Sequence, residues 1–185
     1  MSRKKAYVIG NNVSTSLSPT IFQHWFEKYH VDGEYEYVEI QENNFDQKIK
    51  ALLKESGLVG LNITIPFKEK IISYLTSYDG HATEIKAVNC VTINDNNIIR
   101  GTNTDWVGFM NVLKNFAKEF SPSGKLPKEK HNLEEYGPNH EKTKHLKVFQ
   151  HDTATVIGYG GAGKAVVYSL VQMGFRRVKV FNRTL

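Results

Sequence analysis

The chain has 185 residues, 40% of them hydrophobic, with a formal net charge of +5; that is enough for one domain with a real core or one and a half smaller ones. The positive excess is diffuse and lacks basic stripes interleaved with aromatics, which favours anionic small molecules and argues against nucleic acid. The single cysteine, Cys90, excludes an internal disulfide and suits a reducing cytoplasm, no apolar run reaches membrane-spanning length, and Met1-Ser2-Arg3-Lys4-Lys5 enters a strand-like run with no signal-peptide core.

The first stretch alternates strand and helix. Residues 6–9 read as a short buried strand. Ser18-Pro19 opens a helix, with Ser18 as N-cap and Pro19 at the first helical position. That helix runs to about residue 29 and puts Ile21, Phe22, Trp25 and Phe26 on its apolar side. Residues 35–40 form a second strand. Asn44 caps a helix through 53. Residues 60–65 form a third strand, ended by Pro66. Residues 68–75 read as helical, with a short helix near 82–85. Cys90–Ile93 and 98–100 make a hairpin across Asp95-Asn96-Asn97, and a longer helix spans Asp105–Phe120.

Composition then changes. Residues 121–151 are rich in Lys, Glu, His, Pro, Gly and Asn, as expected of a solvent-exposed linker or insertion. His131, His140 and His145 within it fit no common helical ligand spacing, so a solvated loop is preferred to a metal site. Thr153–Ile157, a glycine turn, a helix over 162–173 and Arg177–Phe181 complete one βαβ unit. A doubly wound domain needs more strands, so the second domain reads as incomplete. The expected division is 1–120, 121–151 and 152–185. A half-built sheet leaves an apolar edge open to self-association, with a homodimer or a domain swap among the outcomes.

Several polar groups stand at element boundaries. The turn Gly158-Tyr159-Gly160-Gly161-Ala162-Gly163 fits G-x-G-x-x-G, follows a strand and opens a helix. That is the context of a dinucleotide site, where glycines admit a pyrophosphate at a helix N-terminus. The second strand of the unit ends in Phe181-Asn182-Arg183-Thr184. An NAD site usually carries a carboxylate there; Asn182 followed by Arg183 favours a 2′-phosphate and hence NADP.

Ser16 and Ser18 flank Leu17 before the first helix. If extended, the segment aims both hydroxyls one way, towards an anion at the helix N-terminus; the plainer alternative is capping by Ser18. Asn62 and Thr64 share a strand face, with Leu61, Ile63 and Ile65 expected to face the core. Pro66 then turns the chain and presents Lys68 at the strand's C-terminal end, where α/β sheets bind ligands. Asn89 and Asp105 also fall at element boundaries. Taken singly, Lys68 reads as a surface lysine and Asp105 as a helix cap.

Taken together, six ordered segments resemble shikimate dehydrogenase of the quinate/shikimate dehydrogenase family. They are Gly10 to Pro19, Asn62-Ile63-Thr64-Ile65-Pro66-Phe67-Lys68, Ala87-Val88-Asn89, Asn103-Thr104-Asp105-Trp106-Val107-Gly108, the glycine turn, and Asn182-Arg183-Thr184. The resemblance implies an α/β fold: a substrate-binding domain followed by the first βαβ unit of a Rossmann NADP domain. It implies reversible reduction of 3-dehydroshikimate to shikimate with NADPH, in aromatic amino-acid biosynthesis. Ser16 and Ser18 would then bind the substrate carboxylate, and Asn62, Thr64, Asn89 and Asp105 its ring hydroxyls. Lys68 and Asp105 would be the catalytic pair. Gly158, Gly160, Gly161, Ala162, Gly163, Asn182, Arg183 and Thr184 would hold NADP. Tyr159 departs from the small residue usual there, and the 121–151 segment is longer than the usual connection. The family's remaining Rossmann strands and a C-terminal substrate-touching glutamine lie past Leu185, so binding without turnover is expected of the 185-residue chain. A quinate/shikimate paralogue, a non-catalytic shikimate-binding module and an NADP sensor are the alternatives.

Overall fold

The structure, a computed structural model, describes residues 3–120, 149 and 152–183. The expected polar connection over 121–151, apart from Phe149, lies outside the described residues, as does Thr184. Two compact units divide at Thr102/Asn103. The helix Asp105–Phe120, grouped by the sequence reading with the first unit, belongs to the second.

The first unit is built on a six-stranded sheet. In chain order come β1 (Lys4–Gly10), α1 (Ser18–Lys28), β2 (Gly33–Glu39), α2 (Phe45–Leu52), β3 (Leu58–Ile63), β4 (Ser77–Tyr78), α3 (Gly80–Ile85), β5 (Cys90–Ile93) and β6 (Ile99–Thr102). The spatial order is β2-β1-β3-β5-β6-β4. β1 pairs in parallel with both β2 and β3. β3–β5 and β5–β6 are antiparallel, and β4 joins β6 in parallel.

Alternation along β1 explains its central place. Tyr7 and Ile9 enter one hydrophobic cluster with Ile40, Phe45, Ile49, Leu61, Ile63, Phe67 and Ile71. Val8 enters another with Val13 and Tyr35, against which Phe22 and Phe26 of α1 pack. Ile9, Ile49, Phe67 and Ile71 are fully buried, each worth about 1.5–3 kcal/mol of transfer free energy. A strand buried on both faces is the usual state of parallel strands.

Several local expectations shift. β3 ends at Ile63, so Ile65 lies beyond it and is 70% exposed, not in the core. Helix α1 begins at Ser18 itself. Its N-cap is Leu17, whose own side chain makes no capping bond. Ile21 and Trp25 remain about half exposed, because α1 rests on the sheet mainly through Phe22 and Phe26. Asn44 does precede α2, without a side-chain capping bond, after a 3₁₀ turn over Glu42–Asn44. In place of a helix over 68–75 there is a 3₁₀ turn, Lys70–Tyr74. Asp79 caps α3, accepting the Ala82 N–H at 2.7 Å.

The second unit holds α4 (Asp105–Phe120), β7 (Thr153–Ile157), α5 (Gly161–Gln172) and β8 (Arg177–Phe181). β7 and β8 pair in parallel, as a βαβ crossover requires. Trp106 of α4 is 1% exposed and meets Tyr168 of α5 edge-on at 5.3 Å. Buried Ser169 ties the same helices, its hydroxyl 2.8 Å from the Trp106 carbonyl. No helix among the described residues is long and apolar enough to cross a membrane.

One polar cluster locks the start of the first sheet. Lys5 Nζ and the Tyr7 hydroxyl donate to Glu55 Oε1 at 2.7 and 2.9 Å. The Lys5 bond, with the Tyr7 bond, holds the Glu55 carboxyl below its ordinary 4.5 against a smaller opposing effect of burial. Burial first, then Glu55, pushes the Tyr7 hydroxyl up to about 12. A depressed carboxyl contributes stability that is complete above its unfolded pKa and lost as pH falls through the folded one. Glu55→Gln is therefore expected to lower urea-melt stability at pH 7, with the gap to the parent closing below about pH 4.5. A gap that stays constant down to pH 2 would contradict this.

Candidate functional site

Strand order 2-1-3 means that the chain leaves β1 towards one neighbour and later returns on the other side. Such a reversal opens a crevice beyond the carboxyl ends of the strands, where α/β sheets bind ligands. Here the loop after β1 carries Ser16 and Ser18, and the turn after β3 carries Thr64 and Lys68.

The turn after β3 is fixed by its backbone. The Thr64 N–H donates to the Ile9 carbonyl at 2.9 Å, and the Thr64 carbonyl accepts the Phe67 N–H at 2.9 Å. The Ile65–Pro66 peptide within it is cis. Phe67, fully buried, stacks on Phe45 with centroids 4.3 Å apart. Lys68 thus follows an immobile anchor, and its carbonyl accepts the Val88 N–H at 2.8 Å. Asn89 is held next door: its carbonyl accepts the Ile63 N–H at 2.8 Å, and its N–H donates to the Thr102 carbonyl at 3.1 Å. Asn62 faces Cys90 in the β3–β5 register. Asn62, Thr64, Lys68 and Asn89 are all half-buried, so the structure gathers them around the ends of β3 and β5.

The loop after β1 is pinned from three sides. The Asn11 N–H donates to the Ile65 carbonyl at 3.1 Å. Val13 is buried. Glu39 Oε2, at the end of β2, accepts the N–H groups of Val13 and Ser14 at 3.2 and 3.1 Å. The segment is not extended, since Leu17 has φ −80° and ψ −7°, so the two-residue alternation expected of Ser16 and Ser18 does not apply. Instead Ser16 Oγ accepts the Ser18 N–H at 3.2 Å, satisfying one orphan donor of α1. Its own proton is left for an acceptor.

Two residues of this site escaped the motif reading. One is Glu39. The other is Tyr35, whose hydroxyl donates to Asn62 Oδ1 at 2.7 Å. Both act on partners more than twenty residues away, which no local spacing reveals. Asn11 Oδ1 is buried without a hydrogen-bond partner, which carries the cost of an unsatisfied acceptor.

In the second unit the glycine turn has the expected form. Gly158 has φ +94°, a conformation that favours glycine, and Gly160 is the N-cap of α5. A Cβ on Gly163 would strike the Gly158 carbonyl, while the space over Gly158 and Gly160 is open. This is a cradle into which a diphosphate fits. Asn182 Oδ1 accepts the Tyr159 N–H at 3.2 Å, so Asn182 braces the turn. Tyr159 is 42% exposed, and the Lys164 ammonium sits 5.8 Å from its ring centroid. Arg183 is exposed. Asp105 is the first residue of α4; its N–H donates to Asn103 Oδ1 at 3.0 Å, so Asn103 makes the turn bond at this helix start.

Gly10 is the tightest point of the site. A Cβ there would lie 2.5 Å from Thr64 Cγ2 and 2.6 Å from Val13 Cγ1. Gly10→Ala is expected to cost about 1–3 kcal/mol in a urea melt, the usual range for overpacking. Unchanged stability would show that Thr64 and Val13 yield freely.

Residues 8–91 match the family model described as the shikimate dehydrogenase substrate binding domain. A Mesorhizobium japonicum protein named shikimate dehydrogenase (NADP(+)) is 34% identical over 182 residues, which are 98% of this chain and 54% of that protein. The crystal structure of shikimate dehydrogenase from Thermotoga maritima superposes with a TM-score of 0.70 at 31% identity, over 98% of this chain and 56% of that one. The Thermus thermophilus enzyme in complex with NADP(H) and shikimate gives 0.67 at 29% identity, over 98% and 56%. The chain spans about half the length of the relatives it matches. By its matched domain and these relatives, the chain is similar to shikimate dehydrogenases over nearly its whole length.

Proposed function

We propose that this chain is the substrate-binding domain and the opening βαβ unit of an NADP-dependent shikimate dehydrogenase, catalysing reversible reduction of 3-dehydroshikimate to shikimate. The observation that carries the reading is the convergence of the serine loop and the Asn62–Lys68 segment at the strand-order reversal around β1. The division of labour is chemical. Ser16 and Ser18 lie at the N-terminal end of α1, where an anion such as the substrate carboxylate is favoured. Asn62, Thr64 and Asn89 offer neutral donors and acceptors suited to ring hydroxyls. Asp105 supplies a further carboxylate acceptor for a hydroxyl and is the catalytic acid–base partner in this assignment.

Lys68 moves the proton. Reduction turns the ketone carbon into a carbinol, and the oxygen takes up one proton to become the hydroxyl. The Lys68 ammonium donates it; in oxidation the neutral amine takes it back. The open glycine cradle with Asn182, Arg183 and Thr184 is the proposed NADP site, and NADP(H) supplies or accepts the hydride when bound. Arg183, where an NAD site usually has a carboxylate, supports NADP over NAD. A cytoplasmic enzyme accords with the single thiol of Cys90, and self-association as a homodimer with the apolar groups exposed on β8.

Titration of the purified chain with shikimate by calorimetry, with and without NADP, tests the reading. Saturable binding is expected, and no heat of binding up to millimolar shikimate would sink it. In an enzyme carrying these domains, Lys68→Ala is expected to keep shikimate binding and lose roughly 10²–10⁴-fold in turnover, the usual worth of a general acid–base. Near-normal turnover would remove Lys68 from the proposed role.

A further inference from the structure

The motif residues leave one buried polar group of the first unit without a role. Tyr35 lies on β2 and is 7% exposed. Its ring stacks on Phe22 with centroids 3.9 Å apart and planes 2° from parallel. A phenylalanine would pack equally well there, so packing does not account for the hydroxyl.

That hydroxyl donates to Asn62 Oδ1 at 2.7 Å, and burial holds the phenol well above its ordinary value, so its proton stays in place to make the bond. A flipped Asn62 would aim its N–H₂ at the Tyr35 hydroxyl, and the Tyr35 proton would lose this acceptor.

We propose that Tyr35 is a positioning residue of the substrate site, locking the Asn62 amide so that its N–H₂ group, with the oxygen occupied, is what a ligand meets. The subsite then selects a ligand oxygen that accepts hydrogen bonds. It discriminates against analogues lacking an oxygen at that ring position, because they leave half-buried donors unpaired. The inference rests on the function proposed above and names a selectivity element within it.

A double-mutant cycle on the whole chain tests this, read by calorimetric titration with shikimate and by thermal melts. Tyr35→Phe keeps the ring and is expected to weaken binding roughly threefold to tenfold, the net worth of one hydrogen bond. Asn62→Ala is expected to weaken it at least as much. The double variant should bind no more weakly than Asn62→Ala alone, because Tyr35 acts through Asn62. Losses that multiply, or parent-like affinity of a folded Tyr35→Phe, overturn the proposal. Should Tyr35→Phe fail to fold, Asn62→Asp carries the test. It keeps the acceptor for Tyr35 and loses the donors, so binding as weak as in Asn62→Ala supports the lock and parent-like binding overturns it. A parent chain that does not bind shikimate overturns the proposed function and this inference together; a binding parent with multiplying losses removes the inference alone.

Discussion

Everything in the first unit depends on β1 lying between two parallel neighbours. A strand in that position must be apolar on both faces, and Tyr7, Val8 and Ile9 meet that demand. It also fixes where polar groups can gather. The backbone of β1 is spent on β2 and β3 along its length, so only its carboxyl end can release a chain into solvent. The serine loop leaves there, and the turn after β3 arrives beside it because Thr64 is bonded to the Ile9 carbonyl. Gly10 lets the two approach; any side chain at that position would occupy the space of Thr64 and Val13.

Three of the candidate side chains of this unit are held by a buried apolar neighbour and by spent backbone groups. Lys68 follows Phe67, Asn62 lies between Leu61 and Ile63, and Asn89 follows Val88. A lysine carried on an exposed loop would lose considerable conformational entropy on meeting a ligand. Here much of the backbone share of that cost is met on folding. The price appears as constraint at Gly10 and as the unsatisfied Asn11 oxygen.

Elements whose causes are local were legible in the sequence. The periodic helix Asp105–Phe120 and the strands Thr153–Ile157 and Arg177–Phe181 stand where their patterns put them. The glycine turn was legible because Gly158 and Gly163 answer backbone demands that glycine meets best. Errors arose where a distant partner decides. Ser18 looks like a cap by its type, yet Ser16 takes its N–H and Leu17 occupies the cap position. Ile65 continues an alternation that stops at Ile63, since the chain turns at Thr64. The two-residue strand β4 carries no period to read. The packing of the helix after Asp105 on α5 carries no local signal either, since Ser169 lies 63 residues past Trp106.

The polar groups around the strand ends are mostly neutral, and that choice has a physical logic. Hydroxyls and amides keep one another satisfied, as Ser16 does for Ser18 and Tyr35 for Asn62. A neutral group half-buried in this way costs far less than an unpaired charge. Direction then matters more than charge, because each hydroxyl proton can be given only once. With the Tyr35 proton committed to Asn62, the amide's donors are turned elsewhere, while Ser16 has accepted a bond and retains a proton to give. In the proposed site, ring oxygens and an anionic group therefore meet donors oriented by the fold. There the ammonium of Lys68, placed by Phe67, adds the positive charge that hydroxyls and amides cannot supply.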